Sequence, residues 1–276
     1  DLFAVEGSTA GMCYCFDVLK HNFLLNKGDS IAIMVPVFTP YIEIPQLSEF
    51  NYTVLNIAAD EISPDGMHTW QYSDADIEKL KDPKYKMLFV VNPSNPPSYA
   101  MSPHTVKAIQ EVVKANPNLM ILTDDVYGTF VEGYRSLVAD LPYNTISCYS
   151  YSKYFGATGW RIAVTAVSGD NIFDKLINGL PEDKKALLNA RYQSLTLDVP
   201  GLKFIDRMVA ESRLIALNHT AGLSTPQQIQ MAFFSLATLI DKEGVYQKRM
   251  IKLIHDRYDA LWKNFGFSMP ADSLRA

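Results

Sequence analysis

Three cysteines among 276 residues, Cys13, Cys15 and Cys148, are too few and too oddly spaced for a disulfide framework. Reduced thiols in a cytosolic compartment are therefore expected. No apolar run is long enough to cross a bilayer, and no stretch reads as a signal peptide. Basic clusters are also missing. Lys and Arg number 25 against 30 Asp and Glu, a net charge of −5, so nothing invites nucleic acid or an anionic membrane. His21, His68, His104, His219 and His255 show no metal-ligand spacing, and no metal is expected. There is no internal repeat and no low-complexity segment. The chain opens at Asp1 rather than Met, with a strong motif inside its first ten residues, so it is expected to be part of a longer protein.

What is present suits a soluble globular chain with a large core: 48% apolar and 20% charged residues. Six short apolar runs read as strands: "SIAIMV", "YTVLNIA", "KMLFVV", "LMILT", "TISCYS" and "RIAVTAV". Helical spacing lies between them. In "GSTAGMCYCFDVLKHNFLL" it is marked by Met12, Phe16, Leu19 and Phe23, with Ser8 or Thr9 as N-cap and Lys27-Gly28 as the stop. Ser73 and Asp76 resemble a capping box before "IEKLK". Ser102-Pro103 starts a helix through about Ala115. After Gly169 the pattern is helical only, in "EDKKALLNARYQSL", "LKFIDRMVAESRLIALNH", "PQQIQMAFFSLATLID" and "YQKRMIKLIHDRYDALWKNF", the last closed by Gly266. Strands alternating with helices predict an α/β fold with a mainly parallel sheet sandwiched by helices.

In such sheets, ligands gather beyond the carboxyl ends of the strands. Polar clusters stand at three of those ends: "NPSNPPS", "DDVYGTF" and "YSK". A fourth, "EGSTAG", opens the first helix. Each has a plain structural explanation. Asn-Pro pairs mark turns, a strand-end aspartate caps a helix, Gly-Ser-Thr is an N-cap, and a lone lysine belongs to a surface loop. Tyr127 and Phe38 could be ordinary core, and Trp160 reads as packing. Together, in this order, the clusters ask for one ligand with a phosphate, a ring and an aldehyde.

The stretch "SYSKYFGATGWRIA" resembles the lysine signature of the fold-type I enzymes that use pyridoxal 5′-phosphate, the aspartate aminotransferase superfamily. "NPSNP", "DDVY" and "GST" match that family's other markers in order. The resemblance implies a seven-stranded-type sheet and the following roles. Lys153 bonds covalently to the cofactor aldehyde. Asp124, selected over Asp125 by the family pattern, pairs with the pyridinium nitrogen. Tyr127 and Asn95 hydrogen-bond the ring oxygen, and Phe38 stacks on the ring. Ser8, Thr9, Ser150 and Arg161 hold the phosphate.

Further phrases, "VPVFTPYIEIPQL", "ILTDDVYGTFVEGYRSL" and "ALNHTAGLSTPQQIQMA", resemble the branch of this family that removes the β-carboxylate of aspartate. Pro97-Ser98 stands where ordinary members have threonine-glycine, and a helical insert from Asp170 to about Ala221 points the same way. That resemblance implies L-aspartate as substrate, a homodimer or higher homo-oligomer, and a cytoplasmic enzyme. It also implies a cofactor-binding large domain over 1–245 and the start of a small domain over 246–276, with the main arginine for the substrate α-carboxylate beyond Ala276. Two alternatives stay open: an ordinary aminotransferase on a dicarboxylic or aromatic amino acid, and a catalytically incompetent or binding-only fragment.

Overall fold

A computed structural model describes residues 1–214, 222–266 and 273–276. Seven strands form one sheet: β1 (Leu2–Val5), β2 (Ser30–Val35), β3 (Thr53–Ala58), β4 (Tyr85–Val91), β5 (Met120–Asp124), β6 (Thr145–Ser150) and β7 (Ala163–Val167). Their order is β1-β7-β6-β5-β4-β2-β3. Strands β2 to β6 are mutually parallel, while β7 runs antiparallel to both β6 and β1. The carboxyl ends of β1 to β6 therefore share one edge.

The central strands are near-continuous apolar runs because both faces of the sheet are covered. Strand β2 shows the two-residue period. Ile31 and Ile33 join a core with Met12, Phe16 and Leu19 of α1 (Ser8–His21), whereas Ala32 and Met34 join a second core on the other face. Short α2 (Pro40–Glu43) and α3 (Asp74–Glu78) follow, then α4 (Pro103–Ala115), which supplies Ile109 and Val112 to the second core. The Ser102 hydroxyl accepts from Thr105 N at 3.1 Å and starts α4 as the sequence predicts, and Ser73 caps α3 in the same way.

The remaining helices are α5 (Leu137–Asp140), α6 (Ile172–Asn178), α7 (Glu182–Tyr192), α8 (Phe204–Leu214), α9 (Thr225–Ile240) and α10 (Val245–Asn264). The expected helix over "LKFIDRMVAESRLIALNH" is α8 as far as Leu214. Its last five residues, His219 among them, and the end of the expected insert near Ala221 lie outside the described residues. Helix α8 is tied to α1 by a polar network. Glu211 accepts two bonds of 2.6 Å from Arg191 and one of 2.6 Å from Tyr192, and His21 Nδ1 lies 2.8 Å away. Helix α9 buries only Met231 and leaves Phe233, Leu239 and Ile240 exposed. Among the described residues, no helix is long and apolar enough to cross a membrane.

Three expectations need correction. The N-cap of α1 is Gly7, not Ser8 or Thr9, and no side chain caps it. Its φ of 98° lies in the region glycine tolerates best. The helix ends at His21 rather than at Lys27-Gly28, because Phe23 turns left-handed at φ 61° and the Asn22 amide donates back to Val18 O at 2.9 Å. The strand expected over "RIAVTAV" begins only at Ala163, since Arg161 has a left-handed φ of 52°.

Candidate active site

The shared carboxyl edge carries a loop from each of five strands. After β1 the chain turns at Gly7 into α1. After β2 it reaches Phe38, after β4 Asn95, after β5 Asp124 to Tyr127, and after β6 Ser150 to Lys153. All nine residues predicted for the site line one cleft of about 160 Å³: Ser8, Thr9, Phe38, Asn95, Asp124, Tyr127, Ser150, Lys153 and Arg161. Tyr41, Ser152 and Thr158 line it as well.

Asp124 forms the buried floor. Tyr41 OH donates to its Oδ2 at 2.7 Å, and Val126 N donates to its Oδ1 at 3.1 Å. Burial dominates and pushes its pKa up to about 6. Asp125 follows immediately and points elsewhere, as consecutive residues at a strand end do. Its carboxylate accepts from the hydroxyls of Thr123, Tyr134, Ser136 and Ser147 and stays out of the cleft. The doublet is thereby resolved by direction: one acid faces the cleft and one is enclosed. Tyr127 is half-buried, and burial, then the Asp124 charge, raise its pKa.

One end of the cleft suits an anion. The first N–H groups of α1 have no intrahelical partner, and the helix dipole favours negative charge there. The Arg161 guanidinium lies directly over Gly7, so a Cβ at that position would overlap it. Arg161 Nη1 donates to Thr158 O at 3.2 Å, which holds the side chain over the helix start.

Lys153 sits on the turn between β6 and β7. Ser150 Oγ accepts from Ser152 N at 3.1 Å, and Thr158 Oγ1 donates to Ser152 O at 3.0 Å. The turn is fixed on both sides of the lysine, whose ammonium meets no hydrogen-bond or ion-pair partner among the described residues. Across the cleft, Phe38 is 42% exposed, and its ring meets Tyr41 edge-on at 5.4 Å. An apolar ring facing open space can cover a planar ligand.

A larger groove of about 690 Å³ lies behind the lysine turn, between Tyr154 and Phe155 on one side and Phe234 and Tyr246 on the other. It lacks the convergence of lysine, arginine and buried acid that marks the smaller cleft. Its one carboxylate, Asp241, caps the start of α10. Among the described residues, no cluster of His, Cys, Asp and Glu could hold a metal ion.

Sequence reasoning missed Tyr41. Only its place three residues after Phe38 hinted at it, and its role depends on α2 turning the ring back toward Asp124. The network around Asp125 was missed too, because its four donors are scattered from Thr123 to Ser147.

Fold and cleft define a class: α/β proteins whose mixed sheet gathers a lysine, an arginine and a buried acid in one small cleft at its carboxyl edge. Residues 6–269 match the family described as aminotransferase class I and II, and the chain belongs to that family. It is 52% identical to a protein from Pseudomonas sp named bifunctional aspartate aminotransferase and L-aspartate beta-decarboxylase, over 96% of this chain and 49% of that protein. It is 28% identical to the aspartate/prephenate aminotransferase of Nitrosomonas europaea, over 50% of this chain and 34% of that protein. Alanine aminotransferase from Pyrococcus furiosus shares the fold at a TM-score of 0.65 and 20% identity, over 95% of this chain and 55% of that one. The chain thus spans about half, or less, of the length of the curated relatives it matches.

Proposed function

We propose that the cleft holds pyridoxal 5′-phosphate and that the protein uses it on L-aspartate, giving L-alanine and carbon dioxide, with aspartate transamination as a second outcome. The observation that supports this most is the convergence of nine residues from five separate loops on one small cleft. The 52% identity to the bifunctional relative favours aspartate and β-decarboxylation over the ordinary aminotransferase reading.

When bound, the cofactor supplies an aldehyde for the amino group and a ring that stores electrons released at the substrate carbons. The residues divide the remaining work. Lys153 Nζ would hold the cofactor through its aldehyde and would carry the proton of the substrate Cα. Asp124 offers its carboxylate to the protonated ring nitrogen from the buried floor. Phe38 would cover the ring, and Tyr127 and Asn95 would hydrogen-bond its oxygen. Arg161, Ser150 and the N–H groups of Ser8 and Thr9 bind the phosphate and fix the register. The branch between decarboxylation and transamination depends on how well water is kept out.

The same reading includes an assembly of two or more copies, supported by the exposed apolar face of α9. It includes a cytosolic setting, supported by three free cysteines, of which Cys15 and Cys148 are buried. It also takes residues 1–245 as a cofactor-binding domain and 246–276 as the start of a smaller one.

The test mixes the full-length protein with L-aspartate and pyridoxal phosphate and measures alanine, oxaloacetate and carbon dioxide together. Alanine and carbon dioxide in equal amounts are expected. Oxaloacetate without carbon dioxide would make it a plain aminotransferase. No product would overturn the reading.

A further inference from the structure

The enclosed acid beside the cleft has no part in the roles above, yet it is one of the most heavily hydrogen-bonded side chains in the molecule. Asp125 Oδ1 accepts from Thr123 Oγ1 at 2.9 Å and from Tyr134 OH at 2.7 Å. Its Oδ2 accepts from Ser136 Oγ at 2.6 Å and from Ser147 Oγ at 2.5 Å. Four donors fill the lone-pair sites of one carboxylate. The main chain is pinned as well: Asp125 N donates to Cys148 O at 2.9 Å, and Gly128 N donates to Asp125 O at 2.9 Å.

Together with the contact of Tyr134 at Asn92, these bonds reach the loops after β4, β5 and β6 at the ring end of the cleft. Thr123 belongs to β5, whose next residue is Asp124. Ser147 belongs to β6, which leads to Ser150 and Lys153. Tyr134 and Ser136 lie on the chain that returns from Tyr127. The Tyr134 hydroxyl also stands 2.7 Å from the carbonyl of Asn92, the first residue of the turn that bears Asn95. The packing leaves Tyr134 no slack, since a Cβ on Gly128 would overlap its ring. A buried carboxylate is costly unless fully hydrogen-bonded, and here the satisfied network joins otherwise separate segments.

We propose that Asp125 is a positioning residue. Its hydroxyl cage locks the loops of Asp124, Tyr127, Asn95 and Lys153 into one body, so that the ring-binding groups are set before the cofactor arrives. The assignment rests on the cofactor reading of the cleft. Misplacement of reacting groups by about an ångström can cost about a hundredfold in rate, so a partial loosening has a measurable effect.

The experiment compares the wild-type full-length holoenzyme with Asp125→Asn, Asp125→Ala and Ser136→Ala. It follows kcat and KM for aspartate, the pH midpoint at which the visible band of the bound cofactor changes, and thermal unfolding. Asparagine keeps the shape and one acceptor. Asp125→Asn should lower kcat about tenfold with KM changed by less than about twofold, and move the midpoint by roughly half a pH unit. Asp125→Ala should do more and Ser136→Ala less. An Asp125→Asn enzyme with a normal kcat and an unmoved midpoint overturns the assignment. So does a loss of rate that only tracks a loss of folded protein with the midpoint unmoved. A wild-type protein that shows no visible band overturns the cofactor reading itself, and this assignment with it.

Discussion

The Tyr41 hydroxyl donates to Asp124 Oδ2 at 2.7 Å, with the two residues only 1% and 3% exposed. Burial raises the Asp124 pKa and this bond restrains the rise, leaving it at about 6. Tyr41→Phe should therefore push the pKa higher still. It should also cost about 1–3 kcal/mol of stability in the cofactor-free protein, by leaving a buried acceptor unsatisfied. Carbon-detected NMR titration and urea unfolding read both. An unmoved Asp124 titration would contradict the assigned balance.

The sign of the Asp124 contribution is opposite to that of most carboxylates. Its folded pKa of about 6 lies above the ordinary 3.8, so its favourable contribution is present below pH 4 and is lost as pH rises through 6. Cofactor-free Asp124→Asn should accordingly match wild type near pH 4. By pH 8 it should be the more stable protein, by up to about 3 kcal/mol. Urea unfolding at the two pH values checks this, and an equal difference at both would refute it.

Gly7→Ala tests the anion end. The new methyl group would overlap the Arg161 guanidinium and sit at a φ of 98°. Affinity for pyridoxal phosphate should fall about tenfold or more, as expected for a lost charge-assisted contact. Affinity for pyridoxal without the phosphate should change much less. Fluorescence titration with both compounds separates the two, and equal losses would place the guanidinium away from the phosphate.

Lys153→Ala should abolish the visible imine band on addition of pyridoxal phosphate and cut turnover by roughly a thousandfold or more. A band that persists would place the covalent link elsewhere.

Glu211 shows the more usual sign. Burial opposes its charge, but hydrogen bonds from Arg191, His21 and Tyr192 outweigh that and bring its pKa down to about 2. Its stabilisation is complete above pH 4.5 and fades as pH falls toward 2, an amount of about 3 kcal/mol. Glu211→Gln should remove that acid dependence and weaken the docking of α8 on α1. Urea midpoints between pH 6 and 2.5 report it, and a slope equal to wild type would count against the network.

Much of this architecture was legible in the sequence, for physical reasons. Strands β2 and β6 have the predicted bounds: β2 is an apolar run after Ser30, and β6 reads as a short, mostly buried strand of small and apolar residues that ends where the Tyr151–Lys153 turn begins. Helix α4 was readable from one serine and one proline. The four polar clusters could be grouped because loops at one edge of a parallel sheet are neighbours, whereas the choice of the nine individual residues, Phe38 and Arg161 among them, came from the resemblance to the family. Strand β1 could not be read: four residues at an edge, paired only with β7, carry too little pattern. The Gly7 cap was hidden because Ser8 and Thr9 are better caps by residue type, yet the approach of Arg161 requires a residue without a side chain. The partners of Glu211 come from two other helices, α7 and α1, and span 190 positions to His21, a distance that no local pattern encodes.

The reversal of β7 has one more effect. A parallel neighbour would have required the chain to cross the sheet and return, carrying Arg161 to the far rim. Because β7 instead folds back beside β6, Lys153 and Arg161 hang from a single hairpin, like two fingers of one hand. If the two side chains hold the proposed cofactor, an insertion anywhere between them would pull a covalent hold and an ionic hold out of step at once, and the spacing inside that hairpin would then be a measure of the molecule it grips.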